Sequence, residues 1–251
     1  MSTSPIDAPV VAITGAGDGI GRAIAARLGR EGYAVVVSDI NDEAGAATVS
    51  EITDAGGTAT FVHVDAGSPE DNDALVRAAL DTYGRLDAAV NNAGLGAPPA
   101  PLGEIDTDTF NRAIDVTLRG TFFGMRSQLQ HFSSAGAGTI VNIISIGGLQ
   151  ASTHLSPYIA AKHGVVGLTE TAALDYAAQG IRINGVAPGP IATAALDTLP
   201  DEVKQEQKAR VPLGRFGAPS DIAAAVAWLL SEESAFVTGT IVPVDGGAVL
   251  A

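Results

Sequence analysis

Seven short runs rich in β-branched residues alternate along this chain with segments whose apolar residues recur at helical spacing. Few folds accept that alternation. The strand-like runs are residues 10–14, 34–39, 58–65, 86–91, 139–145, 181–187 and 240–244, and the helix-like segments are 20–32, 41–55, 69–83, 106–132, 158–179 and 219–230. In the first of these helices Ile20, Ala23, Ile24, Arg27 and Leu28 make one face at 3.6-residue period. Strands that need no alternation of polar and apolar residues are buried on both faces, so the pattern predicts an α/β fold: a doubly wound, Rossmann-type parallel sheet of about seven strands with helices on both faces.

Seven βα units use up residues 1–251 as one domain, with no repeat at solenoid period and no Pro/Gly linker between two cores. Two stretches break the rhythm: 94–104, rich in Pro and Ala, and 189–213, with an acidic helical piece around 201–208. Each follows a strand and so belongs at the carboxyl edge of the sheet, where open α/β folds bind ligands. The second is the expected substrate loop or lid.

Charge and cysteine content narrow the chemistry. With 28 acidic residues against 14 Lys and Arg, the formal net charge is −14, which opposes binding to nucleic acid or an anionic membrane. The chain has no cysteine, which removes thiol nucleophiles, Cys-bound metals and disulfides from consideration. Its four histidines, His63, His131, His154 and His163, lack metal-ligand spacing, so no metal is expected. Residues 1–21 carry no basic side chain, unlike a secretory or transit signal, and the uncharged stretch 127–161 is broken by Gly, Asn, Gln and Pro. A cytoplasmic protein is the expectation.

Thr14-Gly15-Ala16-Gly17-Asp18-Gly19-Ile20-Gly21 follows the first strand and opens the first helix. Backbone N–H groups and the helix dipole there favour a pyrophosphate, and the glycines permit a tight turn and a close backbone approach. The spacing departs from G-x-G-x-x-G, because Ile20 stands where the third glycine would fall. Asp39, at the end of the second strand, supplies a carboxylate for the ribose hydroxyls of an adenosine. A carboxylate at that place repels the 2′-phosphate of NADP, Asp18 adds to the repulsion, and Ile40 offers no cation to attract it. The expected cofactor is NAD.

Tyr158 and Lys162 are four residues apart at a helix start, on one face and one turn from each other. A phenol with a reference pKa of about 10 is a poor base near neutrality, and a neighbouring ammonium lowers it. Ser145, expected to end the fifth strand, opens onto the same edge. Its hydroxyl can hold a substrate oxygen while Tyr158 moves a proton and a nicotinamide moves a hydride.

From Thr14 to Gly247 the chain resembles the short-chain dehydrogenase/reductase family. That family's T-G-x-x-x-G-x-G matches Thr14–Gly21, its N-N-A-G matches Asn91–Gly94, its Ser and Y-x-x-x-K match Ser145, Tyr158 and Lys162, and its P-G-x-I-x-T matches Pro188–Thr193. The resemblance implies that Gly15, Gly19, Ile20 and Gly21 hold the pyrophosphate and that Asp65 and Ala66 meet the adenine. It also implies that Asn91, Ala93 and Gly94 line the adenosine half, that Lys162 binds the nicotinamide ribose, and that Pro188, Gly189, Ile191 and Thr193 stand at the nicotinamide. It further implies a homotetramer paired through helices 106–132 and 158–179 and the last strand. One position departs: Thr117 stands where the family has an Asn credited with a water-linked proton relay from Lys. A hydroxyl has less reach than an amide, so the expectation is a relay through Thr117 and an added water, with some loss of rate. Asp115 lies on another helix face.

The expected substrate wall is Gly148, Leu149, Ala151, Thr153, His154 and Leu155, with Pro190, Ala192, Ala194, Ala195, Leu196 and Leu199 from the lid. Mostly small and apolar, it suits a small, largely apolar secondary alcohol or ketone. Two other functions compete: reduction of a 3-oxoacyl thioester by a related enzyme, disfavoured by Asp39 and the acidic surface, and a dinucleotide-binding subunit without turnover, disfavoured by the intact Ser145, Tyr158 and Lys162.

Overall fold

The structure, a computed structural model, describes residues 6–198 and 200–251. Strand β1 (Val10–Thr14) is buried along its whole length, because both its faces are covered. Val11 and Ile13 pack with Ile24 and Leu28 of α1 (Gly19–Arg30) and Ile222 and Leu229 of a later helix (Pro219–Leu230). Val10 and Ala12 point the other way, to Leu75, Leu129 and Phe132. Each aliphatic side chain taken wholly out of water in these two cores contributes roughly 1.5–3 kcal/mol before entropy is counted.

Around β1 the sheet runs β3 (Thr58–His63), β2 (Ala34–Asp39), β1, β4 (Ala88–Asn91), β5 (Gly138–Ile143), β6 (Ile181–Pro188) and β7 (Ile241–Val244). All six pairings are parallel. The chain winds outward from β1 to β3, then returns to the other side of β1 at β4. That reversal opens a crevice at the carboxyl ends of β1 and β4, the place where a doubly wound sheet takes a ligand. The expected single-domain Rossmann-type architecture is the one observed.

Helices α2 (Asp42–Asp54) and α3 (Pro69–Tyr83) also follow the sequence pattern. The segment expected as one helix, 106–132, is instead α4 (Thr107–Ala113), a π-helical turn (Ile114–Arg119) and α5 (Gly120–Ala135). The widened turn coincides with Thr117, whose hydroxyl is bonded to the backbone of Leu95 outside the helix. Next come α6 (Ser156–Tyr176), then α7 (Ala194–Asp197) and α8 (Asp201–Ala209) inside the 189–213 segment, and α9 (Pro219–Leu230). Strand β5 stops before Ser145. There Ile144 still bonds Val186, but the chain then turns through a 3₁₀ segment at Ile146–Gly148. Among the described residues no helix is long and apolar enough to cross a membrane.

Candidate active site

At the end of β1, Gly15 takes a left-handed conformation, φ +61°, and turns the chain towards α1. Asp18 caps that helix, its Oδ1 accepting from Gly19 N at 2.7 Å. The N–H groups of Ile20 and Gly21 lie in the first turn, where no intrahelical acceptor exists, so they are available to an anion. Asp39 is held in place by two backbone donors, Gly17 N and Asn41 N, each at 2.9 Å. A Cβ at Gly17 would stand 2.9 Å from Asp39 Oδ2, so the glycine is what lets the carboxylate close onto the turn. A fixed carboxylate beside a row of helix-end donors is a cradle suited to a dinucleotide, its ribose hydroxyls on Asp39 and its pyrophosphate on the turn. Ile40 is 62 % exposed beside it, an apolar surface on which an adenine ring could lie.

The two ends of the crevice are tied together. Asn92 donates its side-chain amide to Thr14 O at 3.0 Å and Gly15 O at 2.8 Å, while Thr14 Oγ1 accepts from the backbone of Asn92 and Ala93. Thr14 and Asn92 stand in the two matched motifs, but the bonds between them, which spacing does not reveal, give both a tying role. Asn91 itself, expected beside the adenosine, turns its side chain into the core. There it bonds Gln128 and Asn142, because its place in β4 opposite Asn142 faces α5. Asp65 is exposed and Ala66 buried at the end of β3.

A cavity of about 250 Å³ is lined by Ile20, Asn92, Gly94, Ser145, Tyr158, Lys162, Pro188, Gly189, Ile191 and Thr193, among others. It thus brings Ile20, at the start of α1, together with Ser145, Tyr158, Lys162 and the start of the 189–213 segment. Thr193 also packs across the turn, its Cγ2 lying 3.5 Å from where a Cβ at Gly19 would stand. A larger hollow, about 740 Å³, lies at the opposite, amino edge of the sheet, lined by Tyr33, Arg85, Arg182 and Phe236 among others. It is remote from these groups.

Within the smaller cavity the Ser145 hydroxyl accepts from Gly147 N at 3.0 Å and lies beside the Tyr158 phenol. Burial pushes the Tyr158 phenol up, and only the neighbouring Ser145 hydroxyl draws it down. The expected lowering by Lys162 is absent because the ammonium is drawn elsewhere. Lys162 Nζ donates to Ile143 O at 2.8 Å and sits 5.7 Å from the Tyr158 ring centre. Lys162 is 4 % exposed, and burial lowers its pKa to about 8.

That burial has a measurable consequence for stability. The folded chain holds the Lys162 proton less tightly than the unfolded chain, so the penalty is full below pH 8 and fades as pH rises towards the unfolded value. It is on the order of 3 kcal/mol. Lys162→Met should therefore raise the denaturation midpoint of the cofactor-free protein at pH 7, with an advantage that shrinks between pH 8 and 10. An equal or lower midpoint at pH 7 would sink the argument.

Thr117 is buried, and its Oγ1 accepts from Leu95 N at 2.9 Å and donates to Leu95 O at 3.2 Å. Its backbone carbonyl takes the Thr121 hydroxyl at 2.7 Å. Asp115, on its other face, pairs with Arg119. The segment 94–104 is linked to the loop before α6, Ala100 N donating to His154 O at 3.0 Å. His154 adopts φ +63° to present that carbonyl, a conformation costly for a side chain with a Cβ. Of the expected wall, Leu199 and the side chain of Ala195 lie outside the described residues.

A sequence profile described as enoyl-(acyl carrier protein) reductase matches residues 15–249. The chain is 44 % identical over 238 residues to cyclohexanol dehydrogenase of Acinetobacter sp. (strain SE19), covering 94 % of this chain and 93 % of that protein. It is 42 % identical to cis-4-hydroxycyclohexanecarboxylate dehydrogenase of Sinomonas cyclohexanicum, with 95 % of each covered. The crystal structure of a levodione reductase superposes with a TM-score of 0.92 at 35 % identity, over 97 % of this chain and 98 % of that one. A family profile over residues 15–249 and dehydrogenases and reductases alike over nearly their full length establish that this chain is an oxidoreductase and belongs to the short-chain dehydrogenase/reductase family.

Proposed function

We propose that this protein is an NAD-dependent enzyme interconverting small, uncharged cyclic secondary alcohols and their ketones, with Tyr158 as general acid/base. The observation that carries the reading is one cavity lined by Ser145, Tyr158, Lys162 and, from the first turn of α1, Ile20, with Asp39 anchored on the adjoining glycine turn through Gly17 N. Two of the relatives' names, cyclohexanol dehydrogenase and cis-4-hydroxycyclohexanecarboxylate dehydrogenase, carry a hydroxyl on a cyclohexane ring and support the cyclic-alcohol class. When bound, NAD supplies the acceptor for the carbinol hydride.

The protein's own groups handle the proton. Ser145 holds the substrate oxygen, and Tyr158 takes the hydroxyl proton in oxidation or returns it in reduction. Lys162 keeps a buried ammonium 5.7 Å from the centre of the phenol ring and offers donors to the nicotinamide ribose. Thr117 clasps Leu95 next to this lysine: a Cβ at Gly94 would stand 3.3 Å from Lys162 Nζ and 3.6 Å from Thr117 Oγ1. With one donation and one acceptance already made, its hydroxyl keeps a single acceptor position, to which a relay water can only donate. Thr117→Val, which loses both bonds to Leu95, should lower turnover by about tenfold, whereas Thr117→Asn should not. Wild-type turnover in both variants across pH would remove Thr117 from the relay.

Asp39 should set the choice of dinucleotide. Asp39→Ala is expected to lower the ratio of kcat/KM for NAD over NADP by at least about tenfold, since it removes both a hydrogen-bonding carboxylate and a repulsion. An unchanged ratio would assign the preference elsewhere. Subunits are proposed to pair as a homotetramer, because Phe110, Phe122 and Leu174 leave apolar surface on α4, α5 and α6, and β7 is an edge strand.

The profile's description favours a second reading, reduction of an acyl-carrier thioester. The net charge of −14 opposes docking of an acidic carrier. A panel of cyclic secondary alcohols with NAD, run against 3-oxoacyl and enoyl thioesters with NADPH and NADH, separates the two. Faster turnover of a thioester than of every alcohol would replace the present proposal.

A further inference from the structure

Asn72, in the first turns of α3, is 2 % exposed, yet only half of its amide is used. Its Nδ2 donates to Ala66 O at 2.9 Å and to Ser68 O at 2.8 Å. Its Oδ1 is buried and, among the described residues, meets no donor. The orientation is dictated by the partners, since reversing the amide would set its oxygen against two carbonyl oxygens. A buried acceptor without a donor costs free energy that an apolar side chain would avoid. What the amide secures in exchange is the turn Asp65–Ser68.

Other bonds hold the same turn on α3. Asp65 N donates to Asp71 Oδ2 and Gly67 N to Asp65 Oδ1, both at 2.9 Å. From the other side α5 presses on it: a Cβ at Gly120 would stand 2.8 Å from Ala66 O. Gly124, one turn on, leaves room for the idle Asn72 oxygen, 3.2 Å from where its Cβ would be. The Ala66 carbonyl is therefore clamped between the Asn72 amide and the backbone of α5.

We propose that Asn72 is a positioning residue for the adenine end of the cofactor. It acts through the carbonyls of Ala66 and Ser68 to fix where Asp65 and Ala66 stand. The inference rests on the reading that Asp65 and Ala66 meet the adenine of a bound dinucleotide.

The test uses the purified full chain and ADP-ribose as probe. Asn72→Leu, which removes both bonds and the idle acceptor together, should weaken ADP-ribose binding by about tenfold. Its turnover at saturating NAD should stay within about twofold of wild type and its denaturation midpoint should not fall. Asn72→Ser, which keeps one donor, should bind ADP-ribose with intermediate affinity. A purely structural role would lower midpoint and turnover while leaving ADP-ribose affinity alone, and that result overturns the proposal. If Asn72→Leu does not fold, Asn72→Ser decides, and wild-type affinity in it is equally contrary. Failure of the wild type itself to bind ADP-ribose would overturn the dinucleotide reading and this inference with it. Binding by the wild type and by Asn72→Leu with equal affinity overturns this inference alone.

Discussion

Tyr158→Phe is expected to lower turnover by at least about a thousandfold, the upper part of the range for losing a positioned acid/base group. The dinucleotide should still bind, because Phe removes only an oxygen and leaves the ring in place. Both parts of the result matter. In the wild type, burial holds the phenol protonated above its ordinary range, so alcohol oxidation should climb as pH rises through 8 to 10, when more phenolate forms. The residual rate of Tyr158→Phe should lack that rise. Initial rates across pH, with cofactor affinity measured alongside, check both expectations. Turnover within tenfold of wild type would remove Tyr158 from the proton step.

The second large effect is structural. A Cβ at Gly21 would stand 2.0 Å from Gly15 O and 2.6 Å from Asn92 Nδ2. The first is a backbone atom inside the turn, itself bonded to Asn92, so it cannot move aside without opening the crevice. Gly21→Ala should cost about 3 kcal/mol or more, a fall of roughly 6–12 °C in Tm for a chain of this size. ADP-ribose binding should weaken as well. The control is Gly32→Ala: at φ +91° with nothing within 4 Å, it should lose only about 1 kcal/mol. Equal Tm for the two variants would mean that the contact at Gly21 carries no weight.

The parts of this molecule that were readable in advance are those where one residue type has one physical use. Parallel strands covered on both faces draw runs of Val, Ile and Ala, so β1 and β2 appear in the sequence with their observed ends. Pro69 and Pro219 open α3 and α9 where a missing N–H costs nothing. Ser145, Tyr158 and Lys162 converge on one cavity because strand ends and helix starts meet at one sheet edge. The unreadable parts depend on partners distant in sequence. The π-turn at Thr117 answers to Leu95, and the inward turn of Asn91 answers to Gln128 and Asn142. The carbonyl that takes the Lys162 ammonium belongs to Ile143, nineteen residues away. Spacing placed Tyr158 and Lys162 on one face. It could not say that Ile143 O would hold the ammonium and that burial would raise the phenol.

The central claim is that the carbinol hydrogen of a cyclic alcohol leaves as hydride to NAD while Tyr158 takes the hydroxyl proton. Cyclohexanol deuterated at the carbinol carbon, incubated with the wild-type enzyme and NAD, tests it most directly by mass analysis of the nicotinamide product. Reduced cofactor should carry one deuterium per ketone formed, with NADP reduced far more slowly under the same conditions. Reduced cofactor without the label, or no reduction of NAD by this or any other cyclic secondary alcohol, would contradict it.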